Sequence, residues 1–225
     1  MDAPKKTETT KYVNYPKSYI IGLIIGVIIL IPSVIIGNMH QLSGFQARIF
    51  YDFNNLPNYL NKPTYWITEG LAIYAIPITI LIPLLYKRFR LAWRFFVTVG
   101  GAGLVAEIFK HIIKEPRPVH LLHGHLHLRV LENGYNSFPS GHVTVATAMA
   151  LIVWMILPKK WRWLSIVWIL LVAYSRLYLG AHTPNDIVGA FAVGLISVCV
   201  VRLIPYKLAK PLKLDTKTPL LERGW

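Results

Sequence analysis

The sequence predicts an all-α integral membrane protein: a six-transmembrane helix bundle with the N- and C-termini cytoplasmic. Three observations predict it. Hydrophobic residues make up 54% of the 225-residue chain and charged residues only 15%, where soluble domains carry about a quarter charged. The apolar residues fall in blocks close to the roughly 17–25 residues that a helix needs to cross a bilayer. The basic residues gather at alternate block ends.

The six blocks cover residues 18–37, 66–86, 91–113, 140–157, 163–179 and 187–204. The first is followed by five more and shows no small-residue cleavage site, so it reads as a retained span and not a signal peptide. The second contains Pro77 and Pro83, which argue against a helix in water but are tolerated between packed membrane helices. The last three are short, and flanking polar or aromatic residues must help at their ends. The whole chain, 1–225, reads as one membrane-embedded domain, with 1–17 and 206–225 as cytoplasmic tails.

A formal charge of +14 raises the question of nucleic acid. Its distribution answers otherwise. With the N-terminus inside, Lys5, Lys6, Lys11 and Lys17 lie in the cytoplasm. Lys87, Arg88, Arg90 and Arg94 do so after the second span, and Lys159, Lys160 and Arg162 after the fourth. With Arg202 and the tail residues, seventeen of the twenty-four Lys and Arg fall on one side. That is the positive-inside pattern, so a bilayer is the expected partner and no nucleic acid. The single Cys199 excludes an internal disulfide.

The opposite side collects the ionisable groups that a membrane edge should not hold: Glu107, Lys110, Arg117, His142, Arg176, His182 and Asp186. Such residues mark function by default. Pro116 and Pro118 stop the third helix and leave Arg117 on a stiff extended segment. Span four opens at Ser140-Gly141-His142, and span six opens after His182. If these ends pack together, three cations and two histidines converge, a set suited to a multiply charged oxyanion. The start of span four adds free N–H groups and a positive dipole end, where phosphate is a natural guest. Ser140 also reads as a plain helix cap. His182 and Asp186 read as an oriented nucleophile or base, while Thr183 to Asp186 equally fit a capping box with Pro184 at the first helical position.

Three motifs carry a resemblance. Lys110 and Arg117-Pro118 fit KxxxxxxRP, residues 139–142 read PSGH, and Ser175-Arg176, His182 and Asp186 fit SRxxxxxHxxxD. Their order and their places at helix ends resemble the type 2 phosphatidic acid phosphatase superfamily, the membrane lipid phosphate phosphatases. The resemblance implies a hydrolase with the roles that follow. His182 attacks phosphorus and becomes a phosphohistidine, and Asp186 orients it. His142 protonates the leaving oxygen and then assists water. Lys110, Arg117 and Arg176, with Ser140 and the Gly141 N–H, hold the phosphoryl oxygens. Three fixed cations make a metal unnecessary, so no metal or other cofactor is expected. The substrate is a lipid phosphate handled at the periplasmic or extracellular face of the cell membrane. Undecaprenyl diphosphate and phosphatidylglycerophosphate are preferred over phosphatidic acid, without a residue that chooses.

Other features read as structural. Glu107 pairs with Lys110 across one helical face or touches a head group. His120, His123, His125 and His127 lie in a solvated loop where a metal site lacks completing ligands. Tyr135 and Phe138 read as interfacial aromatics. Gly100, Gly101 and Gly103 let span three pack closely on a neighbour. Two rivals keep the bundle: a lipid-phosphate carrier or scaffold without catalysis, and a relative of the vanadate haloperoxidases. The intact histidines and aspartate argue against the first, and the hydrophobic spans against the second. A transporter would carry its charges midway through the membrane. Oligomeric state is not written in the sequence.

Overall fold

The computed structural model describes residues 17–122, 125–132 and 134–204. The tails, apart from Lys17, therefore lie outside the described residues, as does His123. All regular structure among the described residues is helical. Helix α1 spans Lys17–Asn38 and α2 spans Gly44–Asn54. Then α3 (Asn61–Thr68) runs through a π-helical stretch, Glu69–Tyr74, into α4 (Ala75–Leu85). Helix α5 spans Phe89–Ile113, and the short α6 spans Pro118–Leu121. Helices α7 (Gly141–Ile156), α8 (Trp163–Tyr178) and α9 (Pro184–Leu203) complete the bundle.

Helical stretches occupy all six apolar blocks. Four are long and apolar enough to cross a membrane: Lys17–Asn38, Asn58–Leu85, Phe89–Leu121 and Pro184–Leu203. Helices α7 and α8 have 16 residues each. The outward face of α1 is a row of exposed isoleucines, among them Ile21, Ile24, Ile28, Ile31 and Ile35. An apolar surface of that extent suits lipid and not water.

Helix α7 is the centre of the bundle. It packs against α5, α8 and α9, and every residue from Val143 to Ala150 is buried. Ala146, Ala148 and Ala150 let its neighbours approach. Pro83 lies inside regular α-helix, and Pro77 follows a local rearrangement. Pro77 has no N–H to return to the preceding turn, and the π-helical stretch lies directly upstream. The Leu71 carbonyl within that stretch accepts the Trp168 indole N–H at 2.7 Å, which satisfies it in an apolar setting.

Two expectations need correction. A Cβ added at Gly100 or Gly101 would meet nothing within 4 Å, and only one at Gly103 would approach Val145. The close contacts are made instead between α1 and α9, where a Cβ on Gly26 would stand 2.6 Å from Ile196. Phe138 is fully buried, not interfacial. Its ring fills the space beside Gly189, whose added Cβ would meet it at 2.3 Å. Tyr135 is exposed and stacks on His120 at 5.1 Å.

A polar clamp fixes the long loop between α6 and α7 to the rest. Asn54, fully buried at the end of α2, donates to the carbonyls of His127 and Tyr178 and accepts the His127 N–H. Arg129 donates to the carbonyls of Asn54, Leu56 and Tyr178, and its guanidinium lies 4.1 Å from the Tyr178 ring centroid. The chain leaves α8 through Gly180 at φ +75, against the His127 carbonyl, where a side chain has neither the conformation nor the room. At the other end of the bundle Arg202 of α9 donates to Met155 Sδ and lies over Tyr19 of α1.

Gly189→Ala is expected to cost about 1–3 kcal/mol by overpacking, and to lower turnover because Phe138 leads into Pro139 and Ser140. Gly101→Ala, with open space around it, is expected to be neutral or stabilising by up to about 1 kcal/mol. Thermal unfolding of the two variants in detergent checks both.

Candidate active site

The site forms where the C-terminal end of α5 meets the N-terminal ends of α7 and α9. Helix α5 closes with Lys114 in the left-handed region, its N–H returning to the Lys110 carbonyl at 3.1 Å. Glu115 and Pro116 follow outside regular secondary structure. Arg117 has β-type dihedrals just before Pro118, as the proline spacing predicts.

Asp186 joins the pieces. It is fully buried in the first turn of α9. Its Oδ2 accepts the Thr183 N–H at 2.7 Å and the Ser137 hydroxyl at 2.5 Å, and lies 3.3 Å from His182 Nδ1. Thr183 in turn accepts the Asp186 N–H, so a capping box is present. The two readings of this stretch are therefore one: the carboxylate caps the helix and also orients His182. With Asp186 on Nδ1, that nitrogen carries the proton, and Nε2 presents its lone pair. Arg117 Nη1 lies 3.2 Å from Nε2 and donates to the Ala181 carbonyl at 2.9 Å.

Ser140 occupies the N-cap position of α7, yet its hydroxyl makes no capping bond. It is fully buried and has no hydrogen-bond partner. The Ser140 N–H is held by the Asp186 carbonyl at 3.2 Å, which ties the start of α7 to the start of α9. Gly141 leaves room for Lys110, whose Nζ stands 3.5 Å from where a Cβ would be. His142 follows, within electrostatic reach of Lys110, Arg117 and Arg176. All eight of the core residues expected from the sequence thus converge. Glu107 lies at the rim, half exposed, paired with Lys110 at 3.1 Å and 3.6 Å from His111.

Two carboxylates were not legible as site residues. Glu132 lies in the loop before α7 and bridges the cations: Arg117 Nη1 donates to its Oε2 at 2.6 Å, and Arg176 Nη2 to its Oε1. Its Oε2 is 4.0 Å from His182 Nε2. Burial pushes this carboxyl up, but the guanidinium groups of Arg176 and Arg117 outweigh burial and hold it at about 2. Two loop acids, Glu115 and Glu132, lying in the sequence between Lys110 and Arg176 were the available signal. Glu69, at the start of the π-helical stretch, lies 3.5 Å from His142 Nε2. Nothing in its apolar surroundings marked its partner 73 residues away.

Burial, with Arg117 and Arg176 beside it, holds His182 well below the ordinary histidine range, so its imidazole is neutral. Both shifts are downward, so the stability they lend is present at neutral pH. It is lost as pH falls below the unfolded-chain values and through the folded ones. The arrangement is a cluster of cations with an orphan hydroxyl, two helix N-termini and a neutral imidazole nitrogen beside it. It suits a tetrahedral oxyanion, and the Glu132 carboxylate already lies among the cations that would bind one.

The PAP2 superfamily profile matches residues 91–210. The undecaprenyl-diphosphatase of Sulfolobus acidocaldarius is 28% identical over 180 residues, covering 78% of this chain and 85% of that protein. Among solved structures, Aquifex aeolicus LpxE superposes with a TM-score of 0.64 at 18% identity, over 72% of this chain and 96% of that one. The transmembrane PAP2 type phosphatidylglycerolphosphate phosphatase from Bacillus subtilis gives 0.62 at 22% identity, over 84% and 98%. At these identities the two structures speak for the fold.

Glu132→Gln removes the anion that competes for the cations. Orthovanadate, a phosphate analogue, is expected to inhibit the variant at roughly ten- to hundredfold lower concentration, the worth of a charge-assisted hydrogen bond. An unchanged inhibition constant would contradict this geometry.

Proposed function

This chain belongs to the PAP2 superfamily, and we propose that it hydrolyses the terminal phosphate of a membrane lipid through a phosphohistidine on His182. It is a multi-pass membrane protein and a lipid phosphatase. The observation that carries the mechanism is the Glu132 carboxylate held between Arg117 and Arg176, 4.0 Å from His182 Nε2. A phosphoryl group in its place would face an imidazole lone pair at short range.

Substrate phosphate displaces Glu132 and takes its contacts to the two arginines. Lys110, the Ser140 hydroxyl and the N–H groups at the start of α7 complete the cradle. His182 Nε2 attacks phosphorus while the bond to the leaving oxygen breaks, and His142 gives that oxygen a proton. Asp186 stabilises the charge that develops on the imidazole ring. Water then attacks phosphorus and breaks its bond to nitrogen, with His142 taking the water's proton. Inorganic phosphate departs and His182 is neutral again. Phosphoryl transfer asks mainly for positioning and charge neutralisation, which three fixed cations supply, and the two histidines divide the nucleophile and acid roles.

The substrate is drawn from polyprenyl diphosphates and phosphatidylglycerophosphate. The names of the Sulfolobus acidocaldarius and Bacillus subtilis relatives support that class. So does a polar site at the edge of an apolar bundle, where a head group is reached while its tails stay in lipid. The bundle crosses the membrane six times, with both tails cytoplasmic and the site on the extracytoplasmic side. The distribution of Lys and Arg supports this orientation.

Phosphate release by the detergent-solubilised protein in EDTA, across undecaprenyl diphosphate, phosphatidylglycerophosphate and phosphatidic acid, tests the proposal. One of the first two is expected to turn over fastest. His182→Ala is expected to lose all measurable turnover while keeping its thermal midpoint. Turnover retained in His182→Ala would overturn the mechanism.

A further inference from the structure

Glu69 is the one Asp, Glu, Lys or Arg of the apolar block 66–86, within the helical stretch Asn58–Leu85. Such a placement is costly and calls for a partner. Glu69 also opens the π-helical stretch Glu69–Tyr74, a rare turn that is frequent at functional sites. The stretch is anchored from α8 by the Trp168 indole on the Leu71 carbonyl. On this backbone the Glu69 Oε1 reaches 3.5 Å from His142 Nε2, and each side chain is only 21% exposed.

His142 needs such a partner. Three cations face it: Lys110 from α5, Arg176 from α8 and Arg117 from the segment between α5 and α6. Glu132 from the loop before α7 opposes them, but it is the group that substrate displaces. On the proposed exchange of Glu132 for phosphate, Glu69 is the carboxylate left beside His142. The other histidine has a carboxylate in hydrogen-bond contact, Asp186 at 3.3 Å from His182 Nδ1, whereas Glu69 stands at ion-pair distance from a His142 Nε2 that makes no hydrogen bond.

We infer that Glu69 is a positioning residue for the leaving-group step, holding His142 as the imidazolium with Nε2–H against its carboxylate and leaving Nδ1–H as the proton to give. This rests on the reading of His142 as the general acid. The Nδ1–H bond breaks as the leaving oxygen gains its proton, and the electron pair stays on the ring. The ring is then neutral and ready to accept a proton from water in the next step. Glu69 keeps its charge throughout.

The test uses two soluble probes with the same phosphoryl group. A long-chain alkyl phosphate expels an alkoxide that needs a proton. 4-Nitrophenyl phosphate expels a stabilised phenolate that does not. First-turnover rates are measured on the full-length protein in detergent, for Glu69→Gln and for His142→Ala. Glu69→Gln is expected to slow the alkyl phosphate by about a hundredfold, the low end for a general acid, with KM unchanged. The aryl phosphate is expected to react near the wild-type rate, which also shows that the variant is folded. Glu69→Asp is expected to recover part of the alkyl rate. Equal loss on both probes, or no loss on either, would overturn the role of Glu69. If His142→Ala separates the probes and Glu69→Gln does not, this inference fails while the general acid stands. If His142→Ala does not separate them, the general-acid reading fails and the inference with it.

Discussion

The site depends on one buried carboxylate. Asp186 Oδ2 gathers the Thr183 N–H, the Ser137 hydroxyl and His182 Nδ1, from the start of α9, the loop before α7 and the α8–α9 turn. Its carbonyl holds the Ser140 N–H. Each donor would be costly to bury alone, about 1–3 kcal/mol for an unsatisfied polar group. Satisfying them at one residue fixes the starts of two helices and the plane of an imidazole together. The positive ends of both helices then point toward the same small volume.

Charge balance decides what that volume holds. Arg176, 1% exposed, and the mostly buried Arg117 would repel each other and strain the fold without an anion between them. Glu132 supplies it. The clamp of Asn54 and Arg129 on Tyr178 delivers that loop to the site, because Arg129 is three residues from Glu132 and is bonded to the end of α8. The fold thus holds a carboxylate where the proposed mechanism puts phosphate, and on that proposal substrate enters by exchange of one anion for another. The Ser140 hydroxyl is left without a hydrogen-bond partner, and on the proposed mechanism the additional oxygen of a tetrahedral group fills that contact.

Much of this was legible because the signals are local. PSGH, the proline pair around Arg117 and the Thr183–Asp186 stretch each place a functional group and its backbone within a few residues, and the structure assembles those groups. Glu132 and Glu69 were not legible, since their meaning lies in partners 15 to 73 residues away in sequence. Phe138 misled because a ring beside a polar loop resembles an interfacial anchor. The space across from it at Gly189 exists only once α9 is packed. The glycine run of α5 misled in the opposite sense: small residues permit close packing, but Gly100 and Gly101 point away from any neighbour. The amphipathic α2 went unmarked because it lies between apolar blocks and is itself only moderately hydrophobic.

The central claim is that phosphorus becomes bonded to His182 Nε2. Rapid acid-free quenching of the protein with lipid carrying a radiolabelled terminal phosphate, followed by proteolysis and peptide sequencing, measures this directly. A label that is stable in base, lost in acid and confined to the peptide containing His182 is the predicted result. Turnover of radiolabelled 4-nitrophenyl phosphate, whose leaving group needs no proton, with no labelled protein at any quench time in a His142→Ala background chosen to slow the second step, would contradict it and point to direct attack by water.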